Sequence, residues 1–138
     1  MDNQVLITII ILILISVLFF FAYINSKRIP VRKKERIFEK LEEISMQVKS
    51  SEVFARRDAI IKLDNLLGKA FNIRYGNDNS CGDNLKLAKK LFDKNLYQKL
   101  WDVHKIRNEI VHKDRDISSS ETEELYHIYK LGIKRVLK

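Results

Sequence analysis

The chain has 138 residues, with 26 Lys and Arg against 18 Asp and Glu, a formal net charge of +8. Its lone cysteine, Cys81, excludes an intrachain disulfide and suits a reducing compartment. One proline and four glycines are few chain breakers for this length, and they favour helices.

From Val5 to Ile24 the only polar groups are Thr8, Ser16 and the hydroxyl of Tyr23. At helical rise this run covers roughly 30 Å, the thickness of a bilayer's hydrocarbon core. A helix satisfies its own backbone hydrogen bonds in lipid, so residues 1–25 read as a transmembrane anchor. The run is long for the apolar part of a signal peptide. Tyr23-Ile24-Asn25-Ser26 leads straight into charge and offers no small-residue cleavage site, which argues against a cleaved signal. Asp2 is the only charged side chain before the run, whereas Lys27, Arg28, Arg32, Lys33, Lys34 and Arg36 come after it. Basic flanks stay inside, so the N-terminus is expected outside the cell membrane and the rest in the cytoplasm. That cytoplasmic part carries +9, a charge suited to the anionic inner leaflet or to nucleic acid.

Pro30 should separate the anchor from the next helix. Residues 26–50 read as a basic juxtamembrane segment. Ile37, Leu41, Ile44 and Val48 form one narrow apolar stripe on a helix from Val31 to Lys49, suited to a short coiled coil or to lying on the domain. Residues 51–138 read as a helical domain. Its first helix is expected from about Glu52 to Asn72, capped by Ser50 or Ser51, with Ile60, Leu63, Leu67, Ala70 and Phe71 on a wide apolar face. Gly76 to Asn84 reads as a loop. Its resemblance to a calcium loop fails, because Cys81 and Ala88 fall where oxygen ligands are required.

Asp83 or Asn84 is expected to cap a helix carrying Leu87, Ala88, Leu91 and Phe92. A longer helix runs from about Asn95 through Leu96, Leu100, Val103 and Ile106 towards His112. After a polar loop, Ser118 with Glu121 or Ser120 with Glu123 caps the last helix, which carries Leu125, Ile128, Leu131 and Ile133. The expected fold class is all-α: one transmembrane helix, a short amphipathic juxtamembrane helix, and an antiparallel four-helix bundle.

Most enzyme signatures are absent: no Gly-rich phosphate loop, no paired cysteines for zinc, no His-Glu-x-x-His. His104, Asn108 and His112 share a helical stripe, but a metal would need a further ligand there, so a solvated or partner-facing stripe is the expectation and no metal or cofactor is assigned. The sharpest signal is Arg107-Asn108-Glu109-Ile110-Val111-His112. An arginine, a polar residue and a histidine in this pattern, on the third helix of a small bundle, resembles the active-site motif of the HEPN family. Arg57-Asp58-Ala59-Ile60-Ile61-Lys62-Leu63-Asp64 looks like that family's opening helix, and the Ser/Glu-rich restart near Ser118 looks like its last. The resemblance covers Glu52 to Leu137. One subgroup of the family has a tyrosine two residues beyond the histidine; Asp114 stands there in this chain.

The resemblance implies a metal-independent endoribonuclease or RNA-binding protein in stress or phage defence, with a homodimer placing its cleft between the third helices. Arg107, His112 and Asn108 are then the catalytic candidates. His112 would act as base or acid, Arg107 would hold the phosphate, and Asn108 would orient either partner. On a regular helix Arg107 and His112 point about 140° apart. They converge only if the helix distorts or two chains pool residues. The competing expectation is a non-catalytic helical adaptor that dimerises and recruits a partner to the membrane. RNA target, trigger and any inhibitor protein are not legible. Outside the anchor's flank, the candidates for a basic groove are Arg56, Arg57, Lys86, Lys89, Lys90, Lys94, Lys99 and Lys105.

Overall fold

A computed structural model of the chain describes residues 2–26 and 28–138. Lys27, one of the flanking cations, lies outside the described residues. Among the described residues there are six α-helices and no strand: α1 Asn3–Ser26, α2 Val31–Val48, α3 Val53–Tyr75, α4 Cys81–Leu87, α5 Lys94–Lys113 and α6 Ser119–Val136. A 3₁₀ turn at Ala88–Leu91 comes directly after α4. The chain divides into two compact units at Pro30.

In the N-terminal unit, α1 is long and apolar enough to cross a membrane, and none of its residues is buried. Two of its polar exceptions are satisfied within the helix. Thr8 Oγ1 donates to the Gln4 carbonyl at 2.8 Å and Ser16 Oγ to the Leu12 carbonyl at 2.9 Å, so neither hydroxyl is left without a partner on an apolar surface.

The second unit is a helical bundle in which α3 packs against α2, α4, α5 and α6. The stripe on α2 is buried: Ile37, Leu41, Ile44 and Val48 are each 6% exposed or less. It packs on α3 and α6 of its own chain, which is the second of the two uses the stripe permits and leaves it unavailable to a coiled coil. Ala59, Ile60, Leu63, Leu67, Ala70 and Phe71 of α3 are fully buried, with Leu100, Tyr129, Ile133 and Val136 around them. Gly132 permits the close approach of α5 to α6. A Cβ there would stand 2.7 Å from Leu100 Cδ2.

The helix ends show which caps won. Ser118 Oγ accepts from the Glu121 N–H at 3.1 Å, the first of the two expected pairings at the last helix. Asp93 Oδ1 accepts from the Leu96 N–H at 3.0 Å and starts α5 at Lys94. Two expectations need correcting. The N-cap of α3 is Glu52, with no side-chain cap, while Ser50 Oγ accepts from the Glu52 N–H just outside the helix. The loop after Gly76 ends earlier than its polar composition suggests, because Ser80 accepts from the Asp83 N–H and begins α4 at Cys81. Gly76 closes α3 with φ of 62°, a left-handed conformation that glycine adopts without steric cost. A reciprocal amide pair pins the loop beyond Gly76. Asn77 Nδ2 donates to Asn84 Oδ1 at 2.8 Å, and the buried Asn84 returns its Nδ2 to Asn77 Oδ1 at 3.0 Å.

Candidate functional site

Four chemistry-bearing side chains of the bundle meet around one buried acid. Asp64 lies on the apolar face of α3, four residues after Ile60 and three before Leu67, and is 2% exposed. A lone carboxylate there would be costly without partners. Three helices supply them. His104 Nδ1 of α5 lies 2.8 Å from Asp64 Oδ1. In the tautomer that donates to the Asp64 carboxylate, His104 carries its proton on Nδ1. The Tyr129 hydroxyl of α6 lies 3.1 Å from the same oxygen and 3.2 Å from the Val103 carbonyl, so its single proton is shared between two acceptors. The Cys81 thiol, at the first residue of α4, lies 3.7 Å from Asp64 Oδ1. Burial, reinforced by the neighbouring carboxylate, pushes both the Cys81 thiol and the Tyr129 phenol well above their ordinary pKa, so each stays protonated at neutral pH.

Arg107 completes the cluster from α5. Its Nε stands 3.6 Å from Asp64 Oδ2, an ion-pair distance, and is buried with no hydrogen-bond acceptor among the described residues. Its Nη1 donates to Asn108 Oδ1 at 3.0 Å. With its side chain 23% exposed, the guanidinium has one edge towards the buried acid and keeps some access to solvent. Of the sequence candidates, Arg107 and Asn108 are therefore in contact. His112 is not with them. α5 stays helical to Lys113, so the two side chains diverge by about 140° on the regular helix. His112 is exposed, and makes no hydrogen bond or ion pair among the described residues. The helix ends just beyond it, at Asp114, whose φ of 54° is left-handed.

The surroundings correct the list of groove candidates. Arg56 is buried. Its Nε and Nη2 donate to the Ile117 carbonyl at 3.2 and 3.1 Å, and its Nη1 to the Ser50 and Ser51 carbonyls at 3.0 and 2.7 Å. It ties the two loops flanking α3 and α6 together, with four of its five N–H donors committed to carbonyls. Arg57 is held by the Ile110 carbonyl, by Asp114 and, at 3.8 Å, by Asp116. That pairing also answers the two aspartates after His112, whose charge is met by Arg57 instead of confronting a ligand alone. Arg115 bridges Glu109 and Glu121, both at 2.6 Å.

Sequence reasoning missed Asp64 as the hub, together with Cys81 and Tyr129, and left His104 as a member of a solvated stripe. One signal was available: an acid in register with Ile60, Leu63 and Leu67 is an ionisable group on a face that must be buried. Its partners, 17, 40 and 65 residues further on, carry no such signal. Comparison with family models, with curated proteins and with solved structures found no match.

Proposed function

We propose that this chain is a membrane-anchored HEPN-like protein. In this reading α1 spans the membrane with its N-terminus outside. α3 to α6 form an antiparallel four-helix bundle in the cytoplasm. Two copies pair along α5 to cleave RNA without a metal, in stress or phage defence. The observation that carries it is the contrast between Arg107, fixed by Asp64 and linked to Asn108, and His112, exposed and uncommitted, on the same helix. A positioned guanidinium and a free imidazole are the two groups that ribose-directed cleavage needs.

In such a reaction the ribose 2′-oxygen bonds to phosphorus as the bond from phosphorus to the 5′-oxygen breaks. An imidazole takes the 2′-hydroxyl proton, and an acid returns one to the leaving oxygen. Arg107 meets the charge that gathers on the phosphorane, with Asn108 steering the phosphate. The divergence of Arg107 from His112 within one chain is why the proposal requires a second copy. Exposed Arg28, Arg32, Lys33 and Arg36 would lie against the anionic inner leaflet, and the adjacent anchor fits that placement.

One observation favours a second reading, the adaptor. An arginine turned inward onto a buried aspartate is what a purely structural arginine does. The test is incubation of the full chain, in detergent and EDTA, with labelled RNA. Wild type should leave 2′,3′-cyclic phosphate ends, and His112→Ala should abolish cleavage without lowering the melting temperature, because His112 is exposed. Intact RNA in the presence of folded, dimeric protein would move the assignment to the adaptor. Equal cleavage by wild type and variant would mean a contaminating nuclease. Orientation is read separately: protease outside right-side-out vesicles should spare the bundle.

A further inference from the structure

Asp64, Cys81 and His104 come from three different helices, and each offers one ligand atom. These atoms all lie within 4.8 Å of one another. From this geometry we propose that Asp64 Oδ1, Cys81 Sγ and His104 Nδ1 form a binding site for a zinc-class divalent cation, with a fourth position left to water. The proposal does not rest on the ribonuclease reading.

Carboxylate, thiolate and imidazole are the three protein ligands that zinc takes, and an oxygen-seeking cation such as magnesium would not select the sulfur. Tetrahedral zinc with ordinary bond lengths sets its ligand atoms roughly 3.3–3.6 Å apart. Here the oxygen lies 2.8 Å from the histidine nitrogen and 3.7 Å from the sulfur, and nitrogen and sulfur lie within 4.8 Å of each other, so seating an ion requires the first pair to open by about half an ångström and the nitrogen and sulfur to settle at zinc spacing.

One glycine stands where a ligand needs room: a Cβ on Gly82 would lie 3.1 Å from His104 Nε2, closer than ordinary contact, whereas one on Gly68 would meet Cys81 Cβ at an ordinary 3.4 Å. Cys81 and His104 are only partly buried, so the cluster is not sealed from solvent. Behind the ligands, the Tyr129 hydroxyl supports the Asp64 oxygen, as outer-shell groups support metal carboxylates.

Binding is a proton exchange. The Cys81 thiol loses its proton to solvent as the sulfur–metal bond forms, and the His104 proton moves from Nδ1 to Nε2 so that Nδ1 can donate its lone pair. Asp64 and thiolate together neutralise the divalent ion. Arg107 faces the other carboxylate oxygen, Oδ2, and so does not occupy a ligand position. It does raise the local positive charge, which sets this site below a four-ligand structural zinc in affinity.

The probe is Co²⁺ alone, titrated into the full chain in detergent under reducing conditions. Expected is one equivalent bound per chain, with the intense visible bands of tetrahedral cobalt and a near-ultraviolet thiolate-to-cobalt charge-transfer band, both displaced by Zn²⁺. Cys81 is the only cysteine, so that band reports one sulfur. Cys81→Ser should remove it while the melting temperature stays near wild type, and His104→Gln should weaken binding at least tenfold. His112→Ala should leave both unchanged. Absence of the charge-transfer band in folded wild type overturns the site, as does a titration that His104→Gln leaves unaltered.

Discussion

Replacing Asp64 by alanine tests the organisation of the bundle most directly. The substitution removes the acceptor for His104 and for one share of the Tyr129 and Cys81 protons, and strips Arg107 of its counter-charge. Breaking a buried ion pair by deleting one partner costs about 3–5 kcal/mol. Arg107 keeps partial solvent access and its bond to Asn108, which places the expected loss at the lower end, about 3 kcal/mol. For a compact unit of this size that corresponds to a melting temperature lowered by roughly 10–15 °C. The assay is thermal unfolding followed by circular dichroism on the full chain in detergent. The double variant Asp64→Ala/Arg107→Met carries the decisive information. Removing the orphaned guanidinium should recover about 1–2 kcal/mol relative to the sum of the single changes, since residues in direct contact are not additive. An Asp64→Ala melting temperature within 2–3 °C of wild type would refute the reasoning, as would strict additivity in the double variant.

Three further outcomes are expected. If each RNA site joins Arg107 of one copy to His112 of the other, mixing the inactive Arg107→Ala and His112→Ala chains should restore about a quarter of wild-type cleavage, because half the dimers are mixed and each of those holds one intact site of two; no recovery after subunit exchange would exclude shared sites. Ile44→Ala on α2 should lower stability by about 2–4 kcal/mol without changing the oligomeric state, since its side chain is buried against its own chain, and a change of mass in size-exclusion chromatography with light scattering would contradict that. Asp93 is held below the usual carboxylate range chiefly by the Leu96 N–H, so it favours the folded state above its unfolded pKa and loses that contribution as pH falls through its folded value. The melting temperature of Asp93→Asn should accordingly fall less steeply than that of wild type between about pH 5 and pH 3.

Much of this protein is written locally. The apolar run of α1, the stripe Ile37, Leu41, Ile44, Val48, and the Ser118–Glu121 cap are patterns of neighbours along one helix, and helices form from such neighbours. The helix ends were less legible where two polar residues competed for one cap: Ser80, not Asp83 or Asn84, opens α4. Arg107 and Asn108 could be singled out, but not the direction in which Arg107 points. That depends on Asp64, 43 residues earlier on another helix. The fate of the arginines obeyed the same rule. Arg56 and Arg57 look like free surface charge in the sequence, yet loop carbonyls and the acids beyond α5 engage both. By itself the sequence determined the helical class, the apolar segment and the residue types available for chemistry, because periodicity and charge act over a few residues. Only the tertiary structure decided which of those residues meet. A buried carboxylate has to draw its partners from whatever helices pack around it, and that choice is made by the packing of the whole bundle.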